Sequence, residues 1–273
     1  FFRAIGLNLM LVYGSRESSG ICVLHPDGEI RAETVGKPTP GTRVRISDTG
    51  EILVSGASVF LGYYKNPEAT ATALDDGWLH TGDAGLLDDE GHLVMIDRLK
   101  DVLKLADGSR FSPSLIENKL KFSPFIREAV AFGHDRPFVA AMVAIDLGTV
   151  GNWAERRGLP YTSYMDLSQK AEARELIREE IVKCNATLPE AAKLRRFLLL
   201  TKDLEADDAE MTRTRKVRRR FIAEKYAPVI DAFYSGRDEV ELATTITYED
   251  GRQAIIQSRA RIEDVAARGP AHV

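Results

Sequence analysis

From about residue 21 to residue 97, apolar and polar positions fall into short strand patterns separated by turn chemistry. In "TRVRISDTGEILVSG" two β-rich runs flank Asp48, Thr49 and Gly50, and "GLLDDEGHLVMIDR" repeats the device around Asp89, Glu90 and Gly91. Alternation with period two sends successive side chains to opposite faces, and an Asp/Gly turn between two such runs is a hairpin signal. The pattern predicts a small antiparallel sheet or barrel ending near residue 97.

Beyond Arg98 the period changes. Ser112 and Pro113 open a predicted helix, "PSLIENKLKF", with Leu115, Ile116 and Leu120 on one face, and the apolar runs "EAVAFG" and "FVAAMVAI" read as a strand pair. A longer helix is predicted across "DLSQKAEARELIREEIVKCNATL": Asp166 and Gln169 stand at capping-box spacing, Leu167, Ile177, Ile181 and Cys184 lie on or near one stripe, and Leu188 and Pro189 end it. After Tyr234, "EVELATTITYEDGRQAIIQSRARI" alternates around Asp250 and Gly251, the strongest short hairpin signal in the chain. The expected fold class mixes α/β with α+β. A strand and a small antiparallel β-barrel occupy 1–97, a small mobile α+β domain 98–233, and a β-hairpin tail 234–273. The charged "DRLKD" stretch, Asp97 to Asp101, is the expected exposed and mobile boundary.

Composition narrows the function classes. A chain of 273 residues is long enough for two units that fold without staples. Its net charge of −4 supplies no basic field for nucleic acid, and the basic run "RTRKVRRR", Arg213 to Arg220, has no interleaved aromatic platform. Cys22 and Cys184 stand far apart without a CxxC or His/Cys cluster, which argues against a disulfide framework or a zinc site and fits a reducing, cytoplasmic setting. No apolar run approaches the roughly 20 residues that span a bilayer. His25, His80 and His134 form no catalytic constellation and read as turn or surface histidines. The opening "FFRAIGLNLMLVYG" starts on Phe1 and reads like the middle of a fold, so a longer parent chain is expected.

Several short motifs carry chemistry, each with a plain structural alternative. "HTGD", His80 to Asp83, could present Asp83 to a sugar diol, or Asp83 could simply cap a turn. Arg98 offers a rigid fork of donors for a phosphate or ribose, or an ordinary surface ion pair. Lys216 stands in a basic run whose default is a solvated helix face.

Order and spacing bind these motifs together. "YGSRE" resembles the Tyr-Gly-x-Thr-Glu loop of the adenylate-forming superfamily, which includes acyl-CoA synthetases, firefly-type luciferases and adenylation domains. "GEILVSGASVFLGYYKNPEAT", "LHTGD", "DRLKDVLKLADGSRFSPSLIE" and "TRTRKVRR" resemble that family's following elements in the correct order, over nearly the whole chain. The detail is most similar to bacterial long-chain fatty acyl-CoA ligases. The resemblance implies a carboxyl-side part of such an enzyme: the end of the large domain, then the mobile small domain. It implies attack of a fatty acid carboxylate on the α-phosphate of ATP, then displacement of AMP by coenzyme A, with fatty acid, ATP and coenzyme A as small-molecule partners.

The resemblance also implies residue roles. Tyr13 packs near the adenine, Gly14 and Arg16 fall among the cofactor-binding positions, Glu17 holds Mg²⁺, and Asp83 binds the ribose hydroxyls. Arg16, in place of the family's Thr, either acts as a cation on the phosphates or swings outward and leaves the site without that hydroxyl. Arg98 contacts ribose or phosphate, and Lys216 places an ammonium on the charge that develops in adenylation. Lys100 is the hinge, about which the small domain brings the loop of Lys104 and Gly108 to the nucleotide for thiolation. Three departures are visible. Arg16 stands where the family has Thr, Arg215 where relatives often have Gly, and the loop from Lys104 to Pro113 is one residue longer than in luciferase-like members. No Gly-rich, Ser/Thr-rich phosphate loop ending in Lys occurs, so this piece alone is expected to adenylate poorly or not at all. A degenerate adenylate-binding module, and an acyl-AMP ligase serving a carrier protein, are the alternatives. Peripheral membrane association and a homo-oligomer stay open.

Overall fold

The computed structural model describes residues 2–31, 33–205, 208–214, 216–247 and 253–266, without the side chains of 2–3, 243–247 and 253–256. The chain divides into two compact units, Phe1–Val102 and Leu103–Val273.

In the first unit β1 (Val12–Ser15), β2 (Gly20–Leu24) and β3 (Lys37–Pro38) form a three-stranded antiparallel sheet. Strands β4 (Thr42–Ile46) and β5 (Glu51–Gly56) pair across the turn that contains Asp48 and Gly50. Helix α1 (Pro67–Ala73) begins where the Asn66 side chain accepts from Ala69 N–H at 3.0 Å, with Pro67 in its first turn. Strands β6 (Leu74–Asp75), β7 (Trp78–Leu87) and β8 (Leu93–Arg98) follow. The ten residues of β7 serve three neighbours: it pairs with β5, with β6 at its start and with β8 at its end. The sheet order β4-β5-β7-β6 is open, with antiparallel pairing throughout. Cys22 and Val23 of β2 join Ile52, Val54, Leu79 and Leu93 in the core of this unit. His25 lies in this unit and corrects the surface expectation: it is fully buried, with Nδ1 3.2 Å from Leu11 O and Nε2 3.0 Å from Arg31 O. His134 is exposed.

The second unit opens with the short pair β9 (Leu103–Lys104) and β10 (Arg110–Phe111). Helix α2 (Pro113–Leu120) starts as its sequence predicts, the Ser112 hydroxyl accepting from Leu115 N–H at 3.0 Å, and it buries Ile116 and Leu120. Strands β11 (Ile126–Phe132) and β12 (Val139–Ile145) pair antiparallel; β12 is buried at every residue, so it reads as a continuous apolar run instead of an alternating one. After α3 (Leu147–Arg156), the single long helix predicted from "DLSQKAEARELIREEIVKCNATL" is two: α4 (Tyr164–Gln169) and α5 (Ala171–Asn185). Lys170 between them is extended (φ −69°, ψ 142°), and the first cap is Ser163, whose hydroxyl accepts from Asp166 N–H, while the Asp166 carboxylate turns back to Thr162 N–H. A Ser-x-x-Asp cap at the nearer end therefore wins over the Asp-x-x-Gln spacing.

Strand β13 (Leu194–Leu199) joins β12 in parallel, and α6 (Arg219–Lys225), α7 (Ala227–Tyr234), β14 (Glu239–Thr247) and β15 (Gln253–Asp264) complete the unit. The order is β11-β12-β13-β15-β14, so the C-terminal hairpin is built into the sheet by β15 against β13. Asp250 and Gly251 lie outside the described residues. One face of the sheet, with Ala129, Val143 and Phe197, packs on Ile116, Ile177 and Ile181 of α2 and α5; the other, with Val130, Met142 and Leu198, packs on Ile222, Val229 and Phe233 of α6 and α7. Arg196 ties the hairpin down, bonding the Asp264 carboxylate at 2.9 Å, Phe233 O at 3.0 Å and Arg237 O at 2.9 Å.

Candidate functional site

The "YGSRESSG" stretch is the end of a hairpin. Tyr13 and Gly14 are on β1, Gly20 opens β2, and Arg16 to Ser19 make the turn between. The register shifts between Tyr13 and Gly14, and a Cβ on Gly14 would stand 1.8 Å from Gly20 O, so only glycine lets the two strands close here. The buried Ser18 hydroxyl accepts from Ser15 N–H at 2.9 Å and lies 3.0 Å from Gly20 O, which braces the turn from inside. Arg16 is exposed at the tip. Glu17 is half-buried: its backbone oxygen accepts from Phe60 N–H at 2.8 Å and its Oε1 from the Tyr63 hydroxyl at 2.9 Å. Its own backbone N–H and the Tyr63 hydroxyl hold the Glu17 carboxyl below the usual range.

"HTGD" is not a turn after a strand but a bulge within β7. Leu53 faces His80 and Glu51 faces Ala84, so three residues of β5 oppose five of β7. The excess is absorbed at Gly82, whose φ of +69° favours glycine. Glu51, itself buried, holds the bulge: its Oε1 accepts from Gly82 N–H and its Oε2 lies by His80 Nδ1, both at 2.9 Å. Thr81 donates to Ile52 O at 2.7 Å and accepts from Asp83 N–H at 3.1 Å. The Asp83 carboxylate is thereby fixed, 7% exposed. Its Oδ2 accepts from the Tyr13 hydroxyl at 2.8 Å, and burial pushes the Tyr13 phenol above its ordinary range, with Asp83 adding to the rise. Arg98 is the ladder partner of Asp83 on β8, its guanidinium 2.9 Å from Oδ1 as an ion pair that leaves Oδ1 without a hydrogen bond.

These elements surround a cleft of about 840 Å³ lined by Gly14, Arg16, Glu17, His80, Asp83 and Arg98, among others. His80 lines this cleft and is half-buried, on a bulge instead of a turn. Tyr13 serves the same cleft through its bond to Asp83. Chemically the cleft offers a fixed carboxylate oxygen with capacity for a hydroxyl donor, a guanidinium beside it, and a second carboxylate at the turn. Among the described residues no three His, Cys, Asp or Glu side chains cluster as metal ligands. A lone carboxylate at an open cleft fits Mg²⁺, which commonly takes one or two carboxylates and completes its shell with substrate phosphates and water.

The remaining predicted residues lie elsewhere. Lys100 is exposed in the 3₁₀ turn Leu99–Asp101 that closes the first unit. Lys104, Gly108 and Lys216 belong to the second unit. Lys104 is exposed on β9, and Gly108, at φ +86°, turns the chain back toward β10 with its N–H on Leu105 O. Lys216 is exposed on a loop whose base is well held: Met211 bridges Val217, and Thr212 bonds Lys216 through both backbone and hydroxyl. Fully buried Glu210 anchors one flank, its carboxylate accepting from Lys202 at 2.9 Å, Lys225 at 2.7 Å and the Tyr226 hydroxyl at 2.7 Å. Arg219 anchors the other, bonding Glu117 at 2.8 Å and Ala131 O at 3.0 Å. Arg215 lies outside the described residues. Sequence reasoning assigned no role to Tyr63, Glu51 or Glu210. Tyr63 stands in the quoted "VFLGYYKNPEAT" stretch, where the repeated aromatic was the available signal.

Residues 1–64 match the AMP-binding enzyme family, and residues 100–238 match the AMP-binding enzyme C-terminal domain. A long-chain-fatty-acid–CoA ligase of Mycobacterium tuberculosis is 36% identical over 236 residues, 86% of this chain and 39% of the relative. The human long-chain-fatty-acid–CoA ligase 1 is 32% identical over 251 residues, 86% of this chain and 36% of the relative. The chain thus spans about two-fifths of the length of these relatives. The A domain of carboxylic acid reductase from Segniliparus rugosus, solved with AMP and a co-purified carboxylic acid, has the same fold with a TM-score of 0.57 at 20% identity, over 86% of this chain and 36% of that one. The o-succinylbenzoate CoA synthetase of Bacillus subtilis, solved with its acyl-adenylate, gives 0.54 at 23% identity, over 80% of this chain and 42% of that one. No helix among the described residues is long and apolar enough to cross a membrane. By its matches along both units, the chain belongs to the AMP-binding enzyme family.

Proposed function

We propose that the first unit holds the adenylate of a fatty acyl-AMP and that the chain works as part of an ATP-dependent long-chain fatty acyl-CoA ligase. The observation that carries this is Asp83: a buried carboxylate at the cleft, set by a bulge and bonded by Tyr13, whose second oxygen makes no hydrogen bond and is covered only by the exposed Arg98 guanidinium. In this reading Asp83 accepts from the ribose diol, as a fixed anion does well. Tyr13 and Gly14 border the adenine, and Arg98 moves its donors from Asp83 toward ribose or phosphate. Arg16, exposed at the lip, supplies a cation to the phosphates where relatives carry a hydroxyl. Glu17 holds Mg²⁺, which when bound neutralises phosphate charge. Lys216 stabilises charge developing at the α-phosphate, and Lys100 is the hinge that exchanges it for the Lys104–Gly108 loop when coenzyme A enters. The names of the relatives support the fatty acid and the thiol. Alone, the 273-residue chain binds adenylate without completing adenylation.

The test is calorimetric titration with a non-hydrolysable acyl-AMP analogue. Binding weakened by Asp83→Ala and by Arg98→Ala supports the site; a folded chain with no binding overturns it. A second reading, binding without catalysis even in a complete enzyme, is favoured by the loss of a hydroxyl at Arg16. A large gain in rate for Arg16→Thr within a full-length enzyme would establish that second reading.

A further inference from the structure

Glu17 is half-buried at the cleft, and the orientation of a carboxylate decides how well it serves a metal. Its own backbone N–H and the Ser15 hydroxyl reach the carboxylate from within the turn, and two further contacts come from one distant segment, Phe60 to Tyr63, after β5, one to the Glu17 backbone and one to its carboxylate. Phe60 N–H binds the Glu17 backbone oxygen at 2.8 Å, and the Tyr63 hydroxyl binds Oε1 at 2.9 Å. The Tyr63 ring is itself set edge-on against Phe60, with centroids 4.8 Å apart at 74°, and its backbone N–H is taken by the Thr70 hydroxyl at 2.9 Å. Gly62 before it has φ +145°, and a Cβ there would meet the Thr70 side chain at 2.6 Å, so the segment closes on α1 only with glycine. A tyrosine with its ring wedged and its backbone tied, at the edge of the cleft, delivers one phenol to one carboxylate oxygen.

We propose that Tyr63 is the positioning residue for Glu17: its hydroxyl sets the orientation in which the carboxylate meets the divalent cation of the nucleotide. This rests on the reading of Glu17 as a metal ligand. Partners that orient a ligating carboxylate through its second oxygen typically matter 10–100-fold for metal affinity, and a single half-exposed phenol belongs at the low end, about tenfold.

The test uses the full 273-residue chain and measures its affinity for ATP with and without Mg²⁺; the ratio is the metal-linked gain. Tyr63→Phe keeps the ring on Phe60 and should reduce the gain about tenfold, while the melting temperature holds. Phe60→Leu keeps the hydroxyl and should retain most of the gain. Glu17→Gln should abolish it. An absent gain in the parent chain, or one untouched by Glu17→Gln, removes the Glu17 reading and this inference with it. A gain that Glu17→Gln abolishes and Tyr63→Phe leaves intact removes the inference alone, as does a Phe60→Leu variant that loses as much as Tyr63→Phe.

Discussion

Replacing Asp83 by Asn keeps the shape of a side chain that is 7% exposed and removes its charge. The amide oxygen can still accept from the Tyr13 hydroxyl, now 2.8 Å from Oδ2, so the group that loses its partner is the Arg98 guanidinium, 2.9 Å from Oδ1, which faces an NH2 instead. The Arg98 side chain is 60% exposed, so water satisfies it and the cost to folding stays small. The cost to binding is larger. A hydrogen bond to a charged acceptor contributes about 1.5–3 kcal/mol. Oδ2 is already engaged by Tyr13, so only the bond made by Oδ1 counts as new, about 2 kcal/mol, or roughly a 30-fold loss of affinity. The assay is titration with an acyl-AMP analogue beside its 2′,3′-dideoxy counterpart. The parent chain should lose about 30-fold on removal of the diol, and Asp83→Asn, having already lost that contact, only a few-fold more. Independent, additive losses from the substitution and from the deoxygenation would refute the assignment of Asp83 to the ribose, because groups that touch must couple.

Other consequences are accessible to simple measurements. Glu210→Ala strands Lys225 and the Tyr226 phenol and leaves Lys202 with Asp208 alone, and should cost about 3 kcal/mol, read as a lower urea midpoint. Burial pushes the Glu210 carboxyl up, but Lys225, Lys202 and Tyr226 more than offset it, so its folded value lies below the ordinary 4.5. The stability it supplies is therefore complete above that ordinary value and lost as pH falls through the folded one, a dependence that Glu210→Gln should remove from the pH profile of the midpoint. Gly14→Ala forces a methyl against Gly20 O and should destabilise the first unit by about 2 kcal/mol or more, seen as loss of adenylate binding and a lower midpoint for that unit. Lys216→Ala, at an exposed position, should leave the melting temperature within about 1 °C and the affinity for a preformed acyl-AMP analogue nearly unchanged, while abolishing adenylation when placed in a full-length enzyme.

Local signals carried well from sequence to structure. The Asp48–Gly50 turn, the Ser112–Pro113 helix start and the β11–β12 pair are all written in neighbouring residues, and each is present. What depended on distant partners was not legible. Lys170 looks like any helical lysine, and the break there rests on Ser163 capping the shorter helix. "HTGD" could be read as a turn because its two excess residues exist only relative to β5. His25 is a polar residue with ordinary neighbours in sequence, and its burial follows from carbonyls 14 and 6 residues away. Within the site, the motif order pointed to Tyr13, Glu17, Asp83 and Arg98 by resemblance. The Tyr63 contact to Glu17 spans 46 residues and has no signature short of the folded chain.

The way β15 lies between β13 and β14 bears on how this protein can be cut for study. The family match ends at residue 238, yet Val240, Leu242, Ala260 and Ile262 are buried in the same core as Leu198 and Phe233. A shortened expression product stopping at the end of that match would leave β13 with an unpaired rim of backbone donors and acceptors beside uncovered leucines, the arrangement that recruits strands from other chains. Such a product should precipitate, whereas one reaching residue 266 should stay monodisperse. The hairpin that looks like an appendage in a linear diagram is a required stave of the domain.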